Sequence, residues 1–212
     1  YWIAQRLIIR SGATLSHNSN GRLSVPNLGL NTAKLRVGVG YMLRPAERLT
    51  SQREAAPDLP KRLIITSRLG LAFKEDKTAL GPKYPVYIIA VGAARWLGPK
   101  SRIFAGYEFS HDQTAVAFNQ NQEIPEGVFL PNRHLGFIGH EFIIGHVAIM
   151  TQYFAYLDPP FAGGDSWGFK LGPHYYFRHP LEHPDQNVYV GVYLKAHKAV
   201  ADFAELTLGL TF

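Results

Sequence analysis

The chain ends in "AELTLGLTF", residues 204–212. Ala204, Leu206, Leu208, Leu210 and Phe212 share one face of an extended segment, and Glu205, Thr207, Gly209 and Thr211 share the other. A strict period of two predicts a β-strand that is apolar on one side and polar on the other. The segment "KLRVGVGYMLR", 34–44, repeats the pattern: Leu35, Val37, Val39, Tyr41 and Leu43 oppose Lys34, Arg36, Gly38, Gly40 and Arg44.

The same alternation predicts ten strands, at about 2–16, 33–44, 62–74, 85–97, 102–112, 134–144, 146–157, 167–178, 188–197 and 201–212. These are longer than the roughly 5–6 residues of an ordinary strand, and they suit a tilted bilayer crossing of about 9–11. Composition agrees: 3 Trp, 11 Tyr and 13 Phe, 20 Gly and only 18% charged residues. No apolar run reaches the length of a membrane helix, and a near-neutral average hydropathy is what alternating strands produce. The absence of Cys removes disulfides and thiolate metal sites. The net charge of +6 is spread along the chain. That argues against a nucleic-acid groove and is met equally well by anionic lipid.

A terminal alternating strand closing on Phe212 resembles the C-terminal signature of bacterial outer-membrane barrels. The expectation is therefore an all-β, antiparallel transmembrane barrel of about ten strands, one domain over 1–212, in the outer membrane. An abrupt start at Tyr1 suggests a mature or truncated chain, with more strands if truncated. With Phe212 at the periplasmic end, segments 17–32, 75–84, 113–133, 158–166 and 198–200 face outward. The links 98–101, 144–146 and 178–187 then face the periplasm. So does 45–61, long for that side, which is read as including a short amphipathic helix. Trp2, Trp96 and Trp167 near strand ends read as interface anchors.

The polar stretch "LSHNSNGRLSVPNLGLN", 15–31, joins the first two predicted strands. Parity from Leu7, Ile9, Ala13 and Leu15 carries His17, and Ser19 if the chain stays extended, onto the apolar face. Parity from Leu35, Val37 and Ala33 carries Asn31 there too. A polar cluster on a lipid-facing wall is costly and marks a functional candidate. A Ser hydroxyl needs a base within reach, and a third group must orient that base. His17, Ser19 and Asn31 can fill those roles, with Asn20 or turn N–H groups as oxyanion donors.

"SHNSNG" (16–21) and "PNLGLN" (26–31), followed by an alternating strand, resemble the motif region of the lipid A 3-O-deacylase family, the PagL-type acyloxyacyl hydrolases. The resemblance implies an outer-membrane barrel that hydrolyses the ester-linked acyl chain at position 3 of lipid A. It maps the family's base onto His17, its nucleophile onto Ser19 and its oxyanion-hole Asn onto Asn20. The family's third residue, Glu in its best-known members, falls on Asn31, which cannot stabilise an imidazolium by charge. The ending "YLKAHKAVADFAELTLGLTF" (193–212) resembles the Bacteroidetes-type branch. The implied partner is lipid A or lipopolysaccharide, without cofactor or metal. A homodimer or an envelope-complex partner is compatible with this reading.

The alternative is a catalytically inactive barrel acting as a structural or accessory subunit, which the Glu-to-Asn departure favours. A pore needs an open lumen, and inward Arg, Lys, Glu, His and Tyr predict a plugged one. In "GHEFIIGH" (139–146), His140 and Glu141 point to opposite faces, which argues against a shared metal with His146. His197, Asp202 and Glu205, with Lys195 and Arg68 as charge partners, predict an interior ion-pair network.

Overall fold

The computed structural model describes residues 2–4, 7–18, 30–41, 43, 58–75, 81–121, 130–158, 165–197 and 200–212. They group into two compact units. In the first, β1 (Trp2–Ala4), β2 (Leu7–Asn18) and β3 (Leu30–Tyr41) form an antiparallel sheet in the order β1-β2-β3. The first predicted strand is thus divided: β1 doubles back on β2, with Trp2 opposite Ile8 and Ala4 opposite Leu7. Leu35, Val37 and Val39, predicted to share an apolar face, are all exposed on β3.

The second unit contains β4 (Ile64–Glu75), β5 (Lys83–Gly98), β6 (Ser101–Asp112), α1 (Gln113–Asn121), β7 (Asn132–Ile144), β8 (Val147–Tyr156), β9 (Trp167–Tyr176), β10 (Asn187–His197) and β11 (Val200–Thr211). Its strands form a closed antiparallel barrel in which each pairs with its chain neighbour and β11 returns to β4. Ten long strands, β2–β11, therefore exist as the alternation predicts, but the ring closes with eight. The physical reason is the β11–β4 ladder, from Glu205 opposite Ala72 to Thr211 opposite Thr66. Once these two strands pair, the barrel has no free edge for β2 or β3 to join.

The period of two sets the two walls of the barrel. Leu69, Leu71, Ile89, Val91, Ile138, Ile149, Leu171, Val192, Leu206 and Leu208 are exposed on the outside. Arg68, Arg102, Glu108, Gln152, Lys170, His174 and Glu205 are buried inside. A barrel with an apolar outer wall and a polar interior is built to meet hydrocarbon. Trp96 corrects the interface-anchor expectation: it has the parity of Ala94, is only 4% exposed and packs in the interior beneath Arg102. Trp167 sits among Tyr153 and Phe169. The side chain of Trp2 and the helix expected within 45–61 (of which 58–61 are described and not helical) lie outside the described residues.

The short links are tight turns at Pro99–Lys100 and at Gly145–His146, where Gly145 takes φ +60°. Only a residue without Cβ adopts that angle freely. Helix α1 was not anticipated; the Asp112 carboxylate starts it by accepting a 2.9 Å bond from the Thr114 N–H.

At mid-barrel, Lys170 Nζ donates to Glu108 (2.7 and 2.8 Å) and Glu205 (2.5 Å). Arg68 meets Glu108 at 2.5 Å and Glu205 at 3.6 Å. Two cations and two anions make a neutral quartet. Breaking such a buried set by removing one partner leaves an uncompensated charge, at about 3–5 kcal/mol. Lys170→Met is therefore expected to lower unfolding stability in detergent–urea titration by that order. Lys170→Met with Glu205→Gln should recover part of the loss, because one stranded anion is then removed as well.

Candidate functional site

The site residues singled out by the sequence fall on β2, β3 and the segment between them. Both strands are held by one uninterrupted antiparallel ladder running from Leu7 opposite Tyr41 to Asn18 opposite Leu30. Its register sets His17 directly opposite Asn31. Opposed positions in an antiparallel pair lie on the same face, about 4.5–5.5 Å apart at Cβ. The ladder therefore sets positions 17 and 31 on one face of adjacent strands, the placement that strand parity predicts. Ser19 and Asn20 lie outside the described residues, as do the side chains of His17 and Asn31. Nearby, Ser16 Oγ donates to the Thr32 carbonyl at 3.3 Å, a bond that ties the strand ends beside this pair.

The second group of polar residues lies inside the barrel. The expected Arg68–Glu205 ion pair is present, but sequence reasoning missed the two residues that complete it. Glu108 stands between outward Tyr107 and Phe109, and Lys170 between outward Phe169 and Leu171. A charged residue flanked by two apolar outward neighbours was the available signal. Below the quartet, towards the short-turn end, Arg102 Nε and Nη2 donate to Glu141 at 2.9 and 2.6 Å, and Tyr176 joins both. Tyr193 and His174 Nδ1 are 2.9 Å apart. Large, mostly paired polar side chains thus occupy the interior at both levels, in keeping with a plugged lumen.

Towards the opposite end, Lys74 bridges Asp112 at 2.9 Å and Asp202 at 3.0 Å. His197 stacks on Tyr156, its Nε2 3.1 Å from the phenol oxygen and its Nδ1 3.9 Å from Asp202. The Arg133 guanidinium carbon lies 4.0 Å from the Tyr156 ring centre. The expected partner Lys195 forms no ion pair among the described residues. Its ammonium is instead 5.0–5.2 Å from the rings of Phe154, Tyr156 and Phe203. These contacts join six strands at the mouth of the barrel: β4, β6, β7, β8, β10 and β11.

Glu141 points inward to Arg102, whereas His140 points outward, with Ser101 Oγ 2.8 Å from its Nε2. His146 lies in the turn, its Nδ1 2.9 Å from the Tyr176 carbonyl oxygen. The three residues of "GHEFIIGH" therefore do not converge.

Comparison with known proteins adds one finding. Residues 62–212, the whole closed barrel, match the family model described as acyloxyacyl hydrolase, C-terminal domain. The matched region begins after β3, so His17 and Asn31 precede it. No curated protein and no solved structure matches the chain.

The β2–β3 register is directly testable because the chain has no cysteine of its own. Ala13 is opposite Leu35 in the ladder that pairs His17 with Asn31. Ala13→Cys with Leu35→Cys should form a disulfide under mild oxidant. Ala13→Cys with Lys34→Cys, displaced by one position and on opposite faces, should not. The reverse result, read by non-reducing electrophoresis, would displace His17 from Asn31.

Proposed function

The chain belongs to the acyloxyacyl hydrolase family, and on that premise we propose that it is an outer-membrane barrel protein that removes an ester-linked acyl chain from lipid A at the outer leaflet. Ser19 is the nucleophile, His17 takes its proton, Asn31 orients His17 and Asn20 stabilises the oxyanion. The observation that carries this reading is the ladder register opposing His17 to Asn31. The family match over 62–212 and the resemblance of 16–31 to the deacylase motif support it independently.

The chemistry needs no cofactor. Ser19 Oγ attacks the ester carbonyl as its proton passes to His17. The charge on the tetrahedral oxygen is met by the Asn20 amide. His17 then returns the proton to the departing sugar hydroxyl, leaving an acyl-serine. Water, activated by the same imidazole, releases the fatty acid. Asn31 accepts a hydrogen bond from the imidazole through its amide oxygen and so holds the tautomer. It supplies no charge to the imidazolium, so the rate falls below that of a Glu-bearing homologue.

Orientation follows from the barrel's connections. The two-residue turns Pro99–Lys100 and Gly145–His146 lie at the same end as Phe212, and that end faces the periplasm. The longer connections after β4, β6 and β8 face outward.

A second reading is favoured by one specific observation. The family match covers a closed barrel whose interior is filled by paired charges, and it excludes the His17 motif. In that reading the barrel is a non-catalytic structural or accessory module of an envelope complex.

Incubation of the folded chain with lipid A, followed by mass spectrometry, separates the two. Ser19→Ala is expected to lower acyl release by at least about 10³-fold and His17→Ala by roughly 10²–10⁴-fold. Asn31→Glu should raise it on the order of tenfold by supplying the missing charge. Release that survives Ser19→Ala removes Ser19 as nucleophile. No release from the folded wild type or from Asn31→Glu assigns the chain to the accessory reading.

A further inference from the structure

The outer wall of the barrel is apolar almost throughout, but one sector near the short-turn end is not. Arg95 on β5 is opposite Ile103 on β6, Ile103 is opposite His140 on β7, and His140 is opposite Thr151 on β8. All four face outward along one line of register across neighbouring strands. One step nearer the end, Ser101 Oγ is 2.8 Å from His140 Nε2, and Thr151 Oγ1 donates to the His140 carbonyl at 3.3 Å. Arg95 and Lys100 are both exposed. Among the described residues neither has an ion-pair partner, whereas the exposed Arg62 is paired with Asp185.

We propose that Arg95, Lys100 and the Ser101–His140 pair form a site for one anionic glycerophospholipid of the periplasmic leaflet. The inference rests on the membrane reading above. His140 precedes the last residue of β7, Ile144, by four positions. On a strand rising about 3.3 Å per residue and tilted about 40°, that places it roughly 10 Å above the barrel's periplasmic rim. This is the depth of glycerol esters, below the phosphate plane for a lipid standing in that leaflet. The long Arg95 side chain reaches from near that level towards the phosphate, and Lys100 lies in the turn at the rim, on the headgroup side. The guanidinium suits a phosphate's paired oxygens, and the ammonium adds a point charge. In the tautomer where Ser101 donates to Nε2, His140 Nδ1 carries a proton and offers it to an ester carbonyl. Exposed Ile138, on the hydrocarbon side of His140, and Ile103 beside it suit the acyl chains.

The pair binds rather than cleaves. His140 Nδ1 meets no carboxylate among the described residues, and the neighbouring backbone N–H groups of β6 and β7 are engaged in the barrel ladder. An orienting acid and an oxyanion hole are therefore both missing.

The test is native mass spectrometry of the full chain extracted from vesicles containing equal phosphatidylglycerol and phosphatidylcholine. The wild type should retain one phosphatidylglycerol in preference to phosphatidylcholine. Arg95→Gln with Lys100→Gln should lower that preference on the order of tenfold, as expected for two cations near an anionic headgroup. His140→Phe should lower retention of both lipids by removing the ester contact. Lys83→Gln, at the far end of β5, should change neither. Equal retention of the two lipids by the wild type, or a preference unchanged in the double variant, overturns the proposal. Free phosphate that displaces the lipid at millimolar concentration overturns it too, because the site would then recognise the anion alone. Insertion is measured first, as heat-modifiable migration and protease protection in vesicles. A chain that fails to insert refutes the membrane reading, whereas one that inserts without preference refutes only this inference.

Discussion

The return of β11 onto β4 is the contact on which the barrel depends. In an apolar surrounding no water is available for exposed N–H and C=O groups, so a sheet edge is untenable. The ladder from Glu205 opposite Ala72 to Thr211 opposite Thr66 removes both edges at once. It also sets the charge arithmetic of the interior. The register brings the Glu205 carboxylate beside Arg68 and Lys170, and Glu108 completes the set from β6. Gly70 leaves the room: a Cβ there would run into the Glu205 carboxylate. Closure and neutralisation are one event, because neither strand brings a balanced set of charges by itself.

The filled interior has a functional consequence. Among the described residues Arg68, Glu108, Lys170 and Glu205 are buried together at mid-barrel, and the outer wall and the ends are what the barrel exposes for interaction. This is where the remaining polar groups lie: the Tyr156–His197 stack at one mouth and the Ser101–His140 pair on the wall near the other. The proposed function suits this arrangement, since a lipid substrate would need no route through the lumen.

Much of this was legible in the sequence. Period-two alternation assigned the ten long strands and the face of nearly every residue on them. Parity puts positions 17 and 31 on one face and His140 and Glu141 on opposite sides, while the ladder register alone sets 17 directly opposite 31. Beyond the size of the ring and the two unforeseen members of the quartet, three further features differ from the sequence reading, each for a physical reason. Trp96 reads as an interface anchor because aromatic residues near strand ends commonly are. Its parity with Ala94, which buries it under Arg102, was the stronger signal. Helix α1 has little amphipathic pattern and depends on the Asp112 cap. Lys195 was assigned an ion pair, but its ammonium is surrounded by three aromatic rings, a grouping that draws on β8, β10 and β11 and leaves no trace in local spacing.

By itself the sequence determined which face of each strand is apolar, because side-chain alternation is a local property of extended backbone. It therefore specified an all-β chain with polar residues turned to one side and hydrocarbon-compatible residues to the other. It also specified the residues from which a His–Ser–Asn site could be assembled. Only the tertiary structure decided how many strands join the ring and which charges meet inside it. Alternation is the same for an eight- and a ten-stranded ring. The choice lies in the register between β4 and β11, which are separated by most of the chain, and no local pattern encodes a pairing at that distance.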